Sequence, residues 1–420
     1  HGWLQDVTCR ELTVEEIKTY VEKFAESALI AKKAGFDGIE IHAVHEGYLL
    51  DQFAISFFNN RTDEYGGSLR NRLRFATEIV QAIKESCGQD FPVSLRYSIK
   101  SFIKDWKEGG LPGEEFVEKG RDIEEGIEAA KILEEAGYDA FNGDVGSYDS
   151  WYWSHPPMYQ EKGLYLPYNE ILKKVLKVPV ITAGRMEDPD LASEAIAQGK
   201  TDMIALGRPL LADSEIPNKI MMDKYDKVRP CLSCQEGCMG RLQNYANISC
   251  AVNPACGREA EYGLDPARKV KNVMIIGGGV AGLEAARVAA IRGHKVTLFE
   301  KGERLGGNVI PGGAPDFKED DIALANWYTN ELKDLNVEVC YNTEITKEMV
   351  KDFNADEVIV ATGSKPRKLT IPGADRVYTA EEVLLGKKDA GSSTIIIGGG
   401  LVGCETALWL VDQGKKVTIV

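Results

Sequence analysis

The chain has 420 residues, 44% of them hydrophobic, enough for two or three domains with large cores. Its 65 acidic side chains against 50 basic ones leave a formal charge of −15, which argues against nucleic acid or an anionic membrane as a partner. No segment reads as a signal peptide and no apolar run approaches the ~20 residues of a membrane helix, so the expectation is a cytoplasmic protein. In that setting its nine cysteines read as thiols or metal ligands rather than disulfides. Both ends read as cut: the chain opens His1-Gly-Trp-Leu without an initiator Met and stops at Val417-Thr-Ile-Val420, inside an expected strand.

Thr13-Val-Glu-Glu16 is a capping box, and Ile17, Val21, Phe24, Ala28 and Ala31 then share one helical face. Gly35 ends that helix, and Gly38-Ile-Glu-Ile-His42 follows as a strand. The unit repeats. A helix with Leu73, Ala76, Ile79, Val80 and Ile83 on one face leads to the strand Pro92-Val-Ser-Leu-Arg96, and a helix ending near Gly137 leads to Tyr138-Asp-Ala-Phe-Asn142. The strands Pro179-Val-Ile-Thr-Ala183 and Asp202-Met-Ile-Ala-Leu206 extend the series. Such alternation implies an α/β fold with a parallel sheet, doubly wound or closed as a barrel. The last two strands favour the barrel. Each runs into a Gly-Arg pair, Gly184-Arg185 and Gly207-Arg208, at the place where a TIM barrel binds phosphate. Glycine lets backbone N–H groups approach the phosphate and arginine offers a fixed bidentate cation.

Four more thiols follow. Cys231-Leu-Ser-Cys234-Gln-Glu-Gly-Cys238 and then Cys250 give gaps of two, three and eleven residues. This lacks the second C-x-x-C of a zinc ribbon and suits cysteine-only ligation of an iron–sulfur cluster. Structural zinc or ordinary buried cysteines are the plainer alternatives. Cys256 is a fifth candidate, ranked after Cys250. Beyond a polar linker, Asn272-Val-Met-Ile-Ile276 reads as a buried strand running into Gly277-Gly-Gly279-Val-Ala-Gly282 and a helix, and Val296-Thr-Leu-Phe-Glu300 is a second strand ending in an acid. That context makes the glycines a dinucleotide fingerprint, with pyrophosphate on the helix N-terminus and Glu300 on a ribose hydroxyl. A second fingerprint, Gly398-Gly-Gly400-Leu-Val-Gly403, again lies between a strand and a helix.

The loop His42-Ala-Val-His45-Glu-Gly-Tyr48-Leu-Leu-Asp-Gln-Phe53, with Asn60-Arg61-Thr-Asp63-Glu-Tyr65-Gly66-Gly67-Ser68 and Asn71-Arg72, resembles the Old Yellow Enzyme family of flavin-dependent reductases. With the cysteines and fingerprints, the whole chain resembles the multidomain branch: 2-enoate reductases, bile-acid 4-desaturases, 2,4-dienoyl-CoA reductase and trimethylamine dehydrogenase. The resemblance implies an FMN-binding barrel that begins about three βα units before residue 1, so that this piece alone would be inactive. It implies that Tyr48 donates a proton to the substrate, that His42 and His45 hydrogen-bond its carbonyl oxygen, and that Arg96 faces the N1 and O2 edge of the flavin. One residue more separates His42 from Tyr48 than in the usual family pattern, which leaves open which histidine faces the substrate. It also implies a 4Fe–4S cluster on Cys231, Cys234, Cys238 and Cys250. The aromatic loop from Asp144 to His155 reads as pocket wall, with Tyr148, Trp151 and His155 as candidates. Gly306-Gly307 and Ala361-Thr362-Gly363 resemble the flavin side of two-dinucleotide-domain oxidoreductases, placing FAD at the first fingerprint and NAD(P)H at the second.

The expected organisation is therefore a partial (β/α)8 barrel over 1–228, an iron–sulfur segment over 229–271, an FAD domain over 272–390 and the start of an NAD(P) domain over 391–420. The expected function is electron transfer from NAD(P)H through FAD and the cluster to FMN, and hydride transfer to the C=C bond of an α,β-unsaturated carbonyl compound, or desaturation in reverse. The dienoyl-CoA reductase type, an amine dehydrogenase with Tyr148, Trp151, Tyr152 and Trp153 as a cage, and a non-catalytic electron carrier are the alternatives. A small-molecule substrate is the expected partner, and a homo-oligomer is compatible with the sequence.

Overall fold

Thr13 starts the first long helix as its side chain dictates. In the structure, a computed structural model that describes residues 10–45, 48–367, 370 and 372–420, its hydroxyl accepts from Glu16 N at 3.2 Å and the Glu16 carboxylate accepts from Thr13 N at 2.9 Å. The opening His1-Gly-Trp-Leu and the Glu46-Gly47 pair lie outside the described residues. The helix Val14–Lys33 buries Ile17, Ala25 and Ala28 on one stripe.

Two compact units divide the chain between Gly207 and Arg208. The first holds the strands β1 (Ile39–His42), β2 (Val93–Ser98), β3 (Ile103–Asp105), β4 (Glu108–Gly109), β5 (Ala140–Asp144), β6 (Val180–Thr182) and β7 (Met203–Ile204). Apart from the β3–β4 hairpin, the strands pair in parallel in the order β1-β2-β5-β6-β7. Chain order and spatial order coincide, and no switch point reverses them. A doubly wound sheet must reverse, whereas a barrel wall never does. Helices Leu69–Cys87, Ile123–Ala136, Leu166–Val175 and Pro189–Ala197 cross between the strands. Val93, Leu95 and Tyr97 of β2 alternate into a core shared with Leu73, Ile79, Val80 and Ile83 of the helix before it.

In the second unit, Asp213 accepts from Arg229 N at 2.9 Å and Leu211 O accepts from Asn253 Nδ2 at 2.9 Å. These bonds tie residues 208–227 to the cysteine segment. Beyond it, β8 (Asn272–Ile276), β9 (Lys295–Phe299), β10 (Glu338–Cys340) and β11 (Glu357–Val360) form a parallel sheet in the order β10-β9-β8-β11. Here the order does reverse, beside β8, which is the dinucleotide-binding arrangement. The strands β12 (Ser393–Ile396) and β13 (Lys416–Ile419) pair in parallel around the helix Leu401–Asp412.

Candidate active site and cofactor sites

Parallel register brings the ends of β1, β2 and β5 together. His42 pairs with Arg96, and Arg96 with Asn142. The Arg96 guanidinium donates to Asn142 Oδ1 and Asp144 Oδ2, each at 2.5 Å. Asp144 is 1% exposed, its Oδ1 accepts from Val145 N at 2.7 Å, and its Oδ2 lies 3.7 Å from His45 Nε2. Burial alone would push this carboxyl up, but Arg96 and His45 outweigh it and hold the group well below the usual carboxylate range. Burial likewise opposes charge on Arg96, and Asp144 more than restores it. Asp144 had appeared in the sequence only as the first residue of the aromatic loop. An acid at the C-terminal end of a barrel strand is the signal that could have singled it out.

Tyr48 caps the short helix Leu49–Ala54, its N–H donating to His45 O at 2.8 Å. Its side chain, 41% exposed, meets the His42 ring edge-on at 4.5 Å, and its oxygen accepts from Tyr148 Oη at 2.9 Å. His45 lies deeper, 5% exposed, with its ring 5.1 Å from Tyr148 and 5.5 Å from His155. Trp151 and His155 stack at 3.6 Å and 7°. The six rings His42, Tyr48, His45, Tyr148, His155 and Trp151 thus form one array. Trp153 is not part of it: the indole is buried, stacked on Phe102 at 3.9 Å, and donates to Gly110 O at 2.7 Å. Trp151 and Trp153 point to different surroundings because a one-turn helix, Trp151–Ser154, distributes side chains around its axis.

Burial, then His45 and Arg96, push the His42 imidazole below its ordinary 6.5. The unfolded chain therefore takes up a proton at His42 that the folded chain refuses. Stability present above about pH 6.5 is lost as the pH falls through that value, and His42→Gln should flatten the acid side of a plot of denaturation midpoint against pH.

A buried ion pair escaped the sequence reading. Arg121 and Asp51 are 2% and 1% exposed, with Nη2 and Oδ1 3.0 Å apart, and Arg121 Nη1 also donates to Ser98 O at 2.7 Å. The pair ties the helix that follows Tyr48 to the end of β2.

The two Gly-Arg pairs, expected to meet phosphate, stand in different surroundings. Gly184 has φ +86 and a Cβ there would lie 2.4 Å from the Tyr165 ring, so only glycine fits. The Arg185 guanidinium donates to Gln160 O, to Met158 O at 3.1 Å and to Glu187 at 3.4 Å. It clamps the loop that folds over β6. Gly207 is open, with nothing within 4 Å of a Cβ position. Arg208 opens the helix Arg208–Ala212 and lines the cavity of the cysteines.

Cys231, Cys234, Cys238 and Cys250 line one cavity, with no carboxylate or imidazole in its wall. Ser233 and Gln235 at φ +49 and +62 bend the chain between them, and Ser249 N donates to Gly237 O at 2.7 Å, bringing Cys250 to the others. Cys256 is buried and lies outside that wall. Among the described residues no three His, Cys, Asp or Glu side chains converge as one metal ion requires.

The two fingerprints have the same geometry. Gly277 has φ +110, Gly279 caps the helix Val280–Ile291 at φ −79 and ψ 176, and a Cβ on Gly282 would lie 1.9 Å from Gly277 O. Gly398 has φ +109, Gly400 caps the helix Leu401–Asp412 at φ −75 and ψ 176, and a Cβ on Gly403 would lie 2.0 Å from Gly398 O. Each leaves a helix N-terminus bare for phosphate. Around the first, Gly307 approaches Gly279, and Ala361 O would meet a Cβ on Gly277 at 2.3 Å; Gly363 has φ +72. The Glu300 carboxylate accepts from Gly278 N and Gly302 N, each at 2.7 Å, so it shapes the glycine loop as well as presenting an acid at the end of β9.

Comparison with known proteins agrees with this geometry. The NADH:flavin oxidoreductase / NADH oxidase family matches residues 3–227, and the pyridine nucleotide-disulphide oxidoreductase family matches residues 271–420. The chain is 77% identical over 420 residues to cinnamate reductase of Clostridium sporogenes, covering 100% of this chain and 63% of that protein. It is 41% identical over 419 residues to NADH oxidase of Thermoanaerobacter brockii, covering 98% and 62%. The solved complex of 2-naphthoyl-CoA reductase with 2-naphthoyl-CoA matches at a TM-score of 0.90 and 34% identity, covering 98% of this chain and 61% of that one. The chain thus spans less than two thirds of the length of these relatives. Parallel strands in unbroken order followed by a dinucleotide fold, and a family match over more than half the residues, lead to one conclusion: the chain belongs to the NADH:flavin oxidoreductase / NADH oxidase family.

Proposed function

We propose that the protein reduces the C=C bond of an α,β-unsaturated carbonyl compound, a 2-enoate in the first instance, with NAD(P)H as reductant. The observation that carries this is the meeting of the Tyr48 phenol, His42 and His45 at the end of β1, beside Arg96 at β2. In this reading FMN binds the barrel unit with Arg96 at its N1 and O2 edge. FAD lies on Gly277, Gly279, Gly282, Glu300, Gly307, Ala361 and Gly363, NAD(P)H on Gly398, Gly400 and Gly403, and a 4Fe–4S cluster on Cys231, Cys234, Cys238 and Cys250. When bound, these groups supply hydride at the barrel and one-electron transfer between the flavins.

The side chains do the rest. Hydride addition at the β-carbon builds negative charge on the carbonyl oxygen. His42, kept neutral by its surroundings, can donate an N–H to that oxygen, and His45 stands beside it. Tyr48 gives its proton to the α-carbon. Asp144 holds Arg96 in place and keeps its charge. The likeness to a cinnamate reductase supports an aryl-conjugated 2-enoate ahead of a dienoyl-CoA or a 3-oxo-Δ4-steroid. An amine dehydrogenase is less well supported: Trp153 lies in the core and His155 covers one face of Trp151, which depletes the aromatic cage that a cationic amine needs.

Anaerobic assays of the full-length protein with NADH and NADPH against cinnamate, a dienoyl-CoA, a 3-oxo-Δ4-steroid and a tertiary amine test the reading. Turnover of the amine with none of the enoate overturns it. For the cluster, Cys234→Ser should cost iron and acid-labile sulfide while flavin content stays. Zinc without iron in the unaltered protein would refute the cluster and the electron path built on it.

A further inference from the structure

We infer that Tyr148 is a second member of the proton path: it holds the Tyr48 oxygen by donating to it and resupplies its proton after each turnover. This deepens the proposed function and rests on Tyr48 as the proton donor. The two phenols come from loops after different strands, β1 and β5, a hundred positions apart in the chain, yet their oxygens stand 2.9 Å apart with Tyr148 as donor. A phenol has one proton. If Tyr148 directs its own at the Tyr48 oxygen, the Tyr48 proton must point away from Tyr148, and the Tyr48 side chain is 41% exposed. The Tyr148 ring is fixed on two sides, 5.1 Å from His45 and 5.8 Å from Trp151 at 26°. It is half-buried, and its hydrogen bond to Tyr48 lies at an exposed position.

The transfer balances without an added oxidant or reductant. The Tyr48 O–H bond breaks, its proton bonds to the α-carbon that carries the enolate electron pair, and the O–H pair stays on the Tyr48 oxygen. The Tyr148 proton crosses the hydrogen bond to that oxygen, and water returns one proton to Tyr148. No electrons change centre in the relay, and one solvent proton enters per C=C reduced. Until the crossing, the Tyr148 donor stabilises the negative Tyr48 oxygen by a charge-assisted hydrogen bond.

Tyr148→Phe in the anaerobic full-length holoenzyme tests this, with the two half-reactions followed separately by flavin absorbance. The rate of flavin reduction by NADH should stay unchanged. Oxidation by cinnamate should slow by about tenfold, with a larger solvent deuterium isotope effect and a KM within about twofold. Tyr148→His, which keeps a donor, should recover part of the rate. An unaltered oxidation rate and isotope effect in Tyr148→Phe overturns the relay, as does a raised KM with unchanged kcat, the mark of a contact that only closes the pocket. Full turnover by Tyr48→Phe would instead remove the reading beneath it. An inactive Tyr48→Phe beside an unaffected Tyr148→Phe would remove the relay alone.

Discussion

Tyr48→Phe is expected to lower the rate of C=C reduction by about 10²–10⁴-fold, the usual worth of a positioned general acid, while flavin content and reduction by NADH persist. The change deletes one oxygen and leaves the ring, so the edge contact with His42 at 4.5 Å survives. The Tyr48 backbone bond to His45 O also survives, because it involves no side-chain atom. Separate measurement of the two half-reactions locates the loss: only the step that consumes the unsaturated substrate should slow. A loss of equal size in both would assign Tyr48 to holding the flavin and not to proton transfer.

Arg121→Met should destabilise the first unit by about 3–5 kcal/mol, the cost of breaking a buried pair and leaving one charge behind. Asp51, at 1% exposure, would keep its carboxyl without the guanidinium that now stands 3.0 Å from it. Burial already pushes that carboxyl up, with Arg121 opposing the shift, so removal of Arg121 drives it further up. The folded variant then binds a proton that the unfolded chain has released, and its stability falls as the pH rises above the unfolded carboxylate range. The defect should therefore be largest near neutrality and shrink on acidification, as read from denaturation midpoints across pH. The double variant Asp51→Leu/Arg121→Met removes both charges and should recover much of the loss. If the single variant is as stable as the parent at neutral pH, the pair does not anchor the Tyr48 helix.

Local signals carried a large part of the architecture. The capping box at Thr13 began a helix at Val14, and Asn272–Ile276 formed the strand read there. Both depend on neighbours within a few residues, and short-range periodicity records them. The fingerprints were legible for the same reason: a positive φ and a close approach demand glycine at fixed spacing, whatever lies elsewhere. The β3–β4 hairpin was not legible, because its turn at Trp106-Lys107 puts Lys107 at φ +61 with no glycine or asparagine to announce it.

The site divides along the same line. Resemblance to a known family was enough to nominate Tyr48, the two histidines and Arg96, and thiol spacing to nominate the four cysteines, since each belongs to a compact run of sequence. Tertiary structure alone decided that Tyr148 reaches Tyr48, that Asp144 serves Arg96 and His45, and that Asp51 finds Arg121. It alone turned Arg185 into a loop clamp and put Trp153 in the core while Trp151 joined the ring array. The reason is geometric. These partners sit on different βα units, and which ends meet depends on strand register and on the direction each side chain takes from its backbone, which no local pattern of residues encodes.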